Sequence, residues 1–207
     1  MEHSWILILA MLGHILCVYC DRLILCTPGG QFNYSDIKDN ERMARLFASM
    51  PESSPLRSLV LGTLAMFMQF FGYLALGIWM RQYSALWANM MIVSAAMIYT
   101  FGLAHHVQGC AAEWIYIKSD HSEEGRKLTA DFFGKTSAVM IGCYAGIILF
   151  SVAHFIPVIA GMTALPAWAC VLNLLPLFLV QAPFHIPGAG NLAGAVMYLG
   201  LFILFLI

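Results

Sequence analysis

Two short patterns of ionisable residues stand out in a chain that otherwise has few. His14, Cys17 and Asp21 lie three and four residues apart, and His106, Cys110 and Glu113 four and three apart, with His105 beside the second set. On an α-helix a separation of seven is almost two turns, so each pattern puts a His and a carboxylate on one stripe with a Cys between them. Imidazole and carboxylate together can ligate zinc or non-haem iron, share acid–base work in hydrolysis, or pass protons near neutral pH. The candidate metal ligands are His106, Glu113, His14, Asp21 and His185. The metal signal is weak, because no His-Glu-x-x-His occurs and adjacent His105 and His106 would point their rings about 100° apart. Without a metal, Glu113 or His106 would serve as general base, and Lys135 or Arg22 would hold a phosphate or an oxyanion. The catalytic candidates are therefore His106, Glu113, Asp21 and Lys135.

These residues are embedded in a chain of 207, of which 61% are hydrophobic and 10% charged, with a mean hydropathy of +0.80. Soluble domains carry about 25% charged residues, so such a chain belongs in a bilayer. Ten basic against eleven acidic residues leave no cationic excess to displace counterions, which argues against nucleic acid as a partner. The six cysteines fall in or beside apolar runs and form no spaced disulfide framework.

A spanning helix needs roughly 20 mostly apolar residues. Six runs meet or approach that length, over about 5–26, 59–80, 86–117, 131–160, 166–182 and 191–207, and predict an all-α bundle of six transmembrane helices in one domain. Pro176 should kink the fifth. After the turn Thr27-Pro28-Gly29-Gly30, Met43, Leu46, Phe47 and Met50 follow at i, i+3, i+4 and i+7, which predicts a short amphipathic helix over about 36–50 with Ser35 as N-cap. Beside a bilayer it would lie in the headgroup plane or cover the bundle as a lid. If six helices alternate, both long loops share one side with Arg22, Lys38, Arg42, Arg45, Arg57, Lys118, Arg126, Lys127 and Lys135, leaving only Arg81 on the other. That asymmetry places the loops in the cytoplasm and both termini outside.

The same frame collects Asp21, Arg22, His105, His106, Glu113, Asp131, Lys135, His185 and Asn191 at one depth, with His14 deeper. Ionisable groups are costly inside a membrane, so a shared layer is the best pointer to function. Between Pro183 and Pro187, His185 would be held stiffly, and the glycines before Asn191 would offer backbone N–H groups to an anionic headgroup. His14, Cys17, Arg22, His105, Asp131, His185 and Asn191 complete the candidate binding set. The leading expectation is a pocket for a lipid or isoprenoid-like amphiphile, with turnover by metal or acid–base chemistry. A proton-coupled transporter or channel is the second reading, although the far half offers it little beyond Gln69, Asn89, Ser94, Thr100, His154 and Asn173. A scaffold or regulatory subunit that docks through the Met43–Met50 helix is the third.

Three stretches, Gly13-His-Ile-Leu-Cys-Val-Tyr-Cys-Asp-Arg22, Ala104-His-His-Val-Gln-Gly-Cys-Ala-Ala-Glu-Trp114 and Gly188-Ala-Gly-Asn-Leu-Ala-Gly194, give the chain its likeness. It resembles, over nearly its whole length, a group of small uncharacterised bacterial multi-pass membrane proteins. The resemblance implies a bacterial inner-membrane location and carries over no catalytic residues. The chain departs from intramembrane hydrolases related to ceramidases, which pair His-x-x-x-His on a late helix and have seven helices.

Overall fold

Long apolar runs form the longest helices here, as the cost of an unsatisfied backbone in lipid requires. The computed structural model describes residues 4–206, and all of its major elements are helical. These are α1 (Trp5–Leu25), α2 (Asn40–Phe47), α3 (Ser53–Met80), α4 (Ala85–Lys118), α5 (Glu123–Thr136), α6 (Val139–Ile159), α7 (Leu174–Gln181) and α8 (Ala189–Leu206). Five of them, α1, α3, α4, α6 and α8, are long and apolar enough to cross a membrane. Neighbours pack antiparallel: Ser58 of α3 meets Cys20 of α1, while Gly72 faces Ala10. Likewise, Gly62 of α3 faces His106 of α4 and Gly77 faces Ile92.

Two predicted helices are broken. The run over 131–160 divides into the second half of α5 and all of α6, separated by a turn at Ser137–Ala138. The run over 166–182 is a 3-10 turn at Ala167–Val171, an extended step through Asn173, and then the short α7. A further 3-10 turn at Ala182–Phe184 follows. Pro166 opens the run and Pro183 follows it, and Pro176 falls in the first turn of α7, where a missing backbone donor is tolerated; the helix thus starts just before Pro176 instead of running through it. The last predicted helix is α8, and its expected end at Ile207 lies outside the described residues.

The molecule has two apolar cores. The larger lies among the long helices and includes Leu7, Tyr73, Leu76, Met91, Phe150 and Tyr198. The smaller gathers Phe32, Ile37, Met43, Leu46, Phe47 and Tyr116, with Phe133 packed against it. This second core is a cap made from residues 26–52, the last turns of α4 and the helix α5. At 34 residues and about 1.5 Å each, α4 is about 51 Å long, against roughly 30 Å of hydrocarbon, so its surplus carries the cap.

Inside the cap, Cys26–Thr27 and Gly30–Gln31 form a two-residue antiparallel ladder. The predicted helix at 36–50 is a 3-10 turn over Tyr34–Lys38 followed by α2, whose N-cap is Asp39, accepting from the Arg42 N–H at 3.0 Å, in place of Ser35. Met43, Leu46 and Phe47 are buried in the protein's own second core. The apolar face of α2 is thus already covered, which removes the surface that lipid insertion or docking would use. Arg126 clasps the cap, donating to both oxygens of Glu123 at 2.9 and 2.6 Å and to the Ile37 carbonyl at 3.0 Å. Lys118 pairs with Glu52 across the base of the cap. Of the ten Lys and Arg, nine lie at the cap end and Arg81 alone at the far end.

Candidate functional site: a polar layer between bundle and cap

The His14–Asp21 stripe forms on α1 as the spacing predicts, and Asn191 of α8 bridges its ends. Asn191 donates through Nδ2 to Asp21 Oδ2 at 2.8 Å, and its Oδ1 accepts from His14 Nδ1 at 3.1 Å and Gln69 Nε2 at 3.2 Å. Gln69 also donates to the Gly13 carbonyl at 3.1 Å and accepts from the Tyr99 hydroxyl at 3.2 Å. The donors run one way, from Tyr99 through Gln69 and Asn191 to the Asp21 carboxylate, and four helices contribute. Asp21 also lies at the start of α8, where the helix dipole favours a negative charge. Gly188 makes that approach possible: its φ is +80°, and a Cβ there would stand 3.1 Å from Asp21 Oδ2.

Around His14 the layer continues into the bundle. Its ring stacks on Tyr198 with centroids 5.6 Å apart and tilts against Tyr73 at 6.0 Å. The Tyr73 and Tyr198 hydroxyls and His14 Nε2 are buried without protein partners. Gly194 faces the His14 ring so closely that any side chain there would overlap it, and Gly62 stands in the same relation to His106.

The second stripe meets α3. His106 Nε2 donates to the Ser58 carbonyl at 3.0 Å, and Cys110 Sγ is 3.7 Å from the same nitrogen. The Ser58 hydroxyl donates to the Cys20 carbonyl at 2.9 Å. Glu113, two turns from His106, is 2% exposed, and both its carboxylate oxygens are buried with no hydrogen-bond partner among the described residues. Nor does it take part in any described ion pair. Tyr34 closes the layer from the cap, its hydroxyl against Gly109 and its ring stacked on Phe133 with centroids 4.3 Å apart. Burial pushes the Tyr34 phenol well above the ordinary tyrosine range, and the negative groups of Glu113, Cys110 and Asp21 add to it. In the cap, hydrogen bonding to Arg126 holds the Glu123 carboxyl below its usual range, and the same bonds raise Arg126.

His14, Cys17, Asp21, His106, Glu113 and Asn191 therefore come together in or beside this layer. His105 is partly buried on its edge, its ring against Phe133 at 5.6 Å and Tyr34 at 6.4 Å. Lys135 and Asp131 do not join it: they are exposed on α5 and pair with each other at 2.7 Å. Arg22 is exposed at the end of α1. His185 is exposed in a left-handed turn (φ 49°), where its backbone carbonyl accepts from Gln31 at 3.4 Å. Without Lys135 and Arg22, the layer holds no Lys or Arg side chain among the described residues. Among the described residues no three His, Cys, Asp or Glu side chains converge as a metal site requires. His14 and His106, two of the candidate ligands, bond to different partners on different helices.

Sequence reasoning missed Ser58, Tyr34 and Tyr99, and assigned Gln69 to the far half. Each is a single polar residue in an apolar run or loop, with no local partner at helical spacing to mark it.

No curated protein matches the chain, and neither does any solved structure. One family profile does match, over residues 2–207, so the chain belongs to a family of unknown function, DUF6796.

Proposed function

We propose that this multi-pass membrane protein binds and passes protons, as a small proton-coupled carrier or channel with Glu113 as its proton-binding carboxylate. In this reading the broken segment before α8 makes a fifth crossing of six. The cap end, rich in Lys and Arg, faces the cytoplasm, both termini face outward, and α2 lies at the cytoplasmic surface as part of the cap. The observation that carries the proposal is the isolation of Glu113, a buried carboxylate with no ion-pair partner and no hydrogen-bond donor among the described residues. Burying an unpaired ionised carboxylate costs several kcal/mol, on the order of a whole domain's stability margin, so a structural role is poorly served by it. Taking up and releasing a proton is a role that needs such a group. The chain of donors leading to Asp21, and the free hydroxyls of Tyr73 and Tyr198 above it, supply polar groups deeper in the bundle than the sequence alone suggests.

The test is proton flux into vesicles containing the purified protein, read with an enclosed pH dye under an imposed membrane potential. Glu113→Gln keeps the volume and removes the ionisable group, so flux should fall at least about tenfold, while Glu113→Asp retains a measurable part. Full flux through Glu113→Gln would reject the assignment.

A second reading places an amphiphile site on the exposed face of α3, apart from the polar layer. Its support is an apolar groove of about 400 Å³ on the cap end of α3, lined by Ser53, Leu56, Arg57, Val60 and Leu61. There Arg57 could meet an anionic lipid headgroup while the chain lies along Val60. Lipid mass spectrometry on the protein purified in mild detergent decides it: a stoichiometric anionic lipid lost in Arg57→Gln supports this reading, and bulk lipid alone rejects it.

A further inference from the structure

A different part of the molecule breaks the rule that buried polar groups find partners. At the far half, the return from α6 toward α8 is interrupted at Asn173, an extended residue (φ −147°, ψ 144°) that begins α7. Asn173 is fully buried, and its Nδ2 donates to the Ser151 carbonyl on α6 at 2.8 Å. Its Oδ1 has no partner, although it stands at the N-cap position and could have capped α7. The hydroxyl of Ser151, a residue 3% exposed, has none either.

Both residues line a crevice of about 150 Å³ between α6 and the broken segment. The remaining wall is apolar, including Phe155, Leu175 and Pro176, and the crevice opens past Val152 and Ile156, which are 39% and 40% exposed on the flank of α6. A water molecule occupies about 30 Å³, and apolar cavities near 150 Å³ take up small apolar molecules in preference to water. Behind this apolar wall stand the buried Ser151 hydroxyl and Asn173 amide oxygen, and α7 starts there with N–H groups that no side chain caps. Broken helices with exposed backbone groups are the usual place for a ligand in membrane carriers.

We propose that this crevice binds an apolar molecule bearing a single hydroxyl group, a long-chain or isoprenoid alcohol, taken from the bilayer between α6 and α7. The hydroxyl group matches the unpartnered atoms: once the apolar wall parts to admit it, it donates to Asn173 Oδ1 and accepts from the Ser151 hydroxyl, while the chain lies against Phe155, Leu175 and Pro176. A carboxylate would set its charge against Asn173 Oδ1, and a plain hydrocarbon would leave both polar atoms unpaired. This site does not depend on Glu113 or on proton movement.

The experiment uses the full-length protein in phosphatidylcholine vesicles with a photoactivatable farnesol analogue, and its methyl ether as the control. Peptide mass spectrometry reads the labelled residues. The alcohol should label the segments around 151–156 and 173–176, be displaced by excess farnesol, and exceed the ether about three- to tenfold, the value of one or two hydrogen bonds. Ser151→Ala should reduce labelling by a similar factor without affecting folding, because the hydroxyl it removes bonds to nothing in the protein. Val152→Trp, at the exposed rim, should block entry and abolish labelling. Equal labelling by alcohol and ether, or no effect of Ser151→Ala, would show that the crevice holds only lipid chains or water and would overturn the proposal.

Discussion

The polar layer under the cap and the crevice beside α7 treat buried polar groups in opposite ways. Under the cap, Asn191 binds Asp21, His14 and Gln69 at once, and each of those groups belongs to a helix that the others help to fix. Beside α7, Asn173 makes one bond and leaves its oxygen free. Connected polar groups rigidify a bundle, and unconnected ones await something. Glu113 sharpens the contrast: it sits beside the bonded network with both carboxylate oxygens unpartnered among the described residues, in the company of the Tyr73 and Tyr198 hydroxyls and His14 Nε2.

The contrast can be tested directly. Asn191→Leu removes three hydrogen bonds and strands His14 Nδ1 and the Asp21 carboxylate, so it should destabilise the protein by about 3 kcal/mol, measured by unfolding in mixed detergent micelles. Asn173→Leu breaks a single bond and should cost about 1 kcal/mol in the same assay. A larger loss for Asn173→Leu would erase the distinction between the two regions.

Tyr34 gives the layer a pH signature from the cap side. Its phenol is raised in the folded state, so the stability it contributes is complete below the ordinary tyrosine value of about 10 and is lost as pH rises above that toward the folded value. Thermal unfolding should therefore weaken above about pH 10, and Tyr34→Phe should flatten that decline. Arg126→Met removes the clasp on Glu123 and Ile37, a site near the surface. It should loosen the cap by about 1 kcal/mol, seen as faster amide exchange in residues 34–47 with the long helices unaffected. Smallest of all, Lys135→Ala should change stability by less than about 0.5 kcal/mol and leave flux intact, because its pair with Asp131 is exposed.

Much of the bundle was legible because apolar runs leave little freedom in lipid: α1, α3, α4 and α8 lie within a few residues of their expected bounds, apart from the earlier start of α3 at Ser53. The breaks were harder. No proline or glycine stands at Ser137–Ala138 to announce the end of α5, and Pro176 falls in the first turn of α7 where a kink within a longer helix was expected. His14 with Asp21 and His106 with Glu113 were visible because helical spacing is local. Their partners were not, since Asn191 lies 177 residues from His14 and Ser58 lies 48 from His106. Charge type alone also misled, placing Lys135 and Asp131 in the layer when α5 turns them outward.

The cap has a consequence for synthesis of the chain. Met43, Leu46 and Phe47 complete their core with Tyr116 and Phe133, which are made 69 to 90 residues later. At translation speeds of about 5–20 residues per second, the apolar face of α2 spends roughly 3–18 s without its partners while α3 and α4 enter the membrane. The ribosome thus finishes the first loop long before that loop can fold, and a chain stalled before Tyr116 leaves this face open to chaperones, proteases and neighbouring nascent chains.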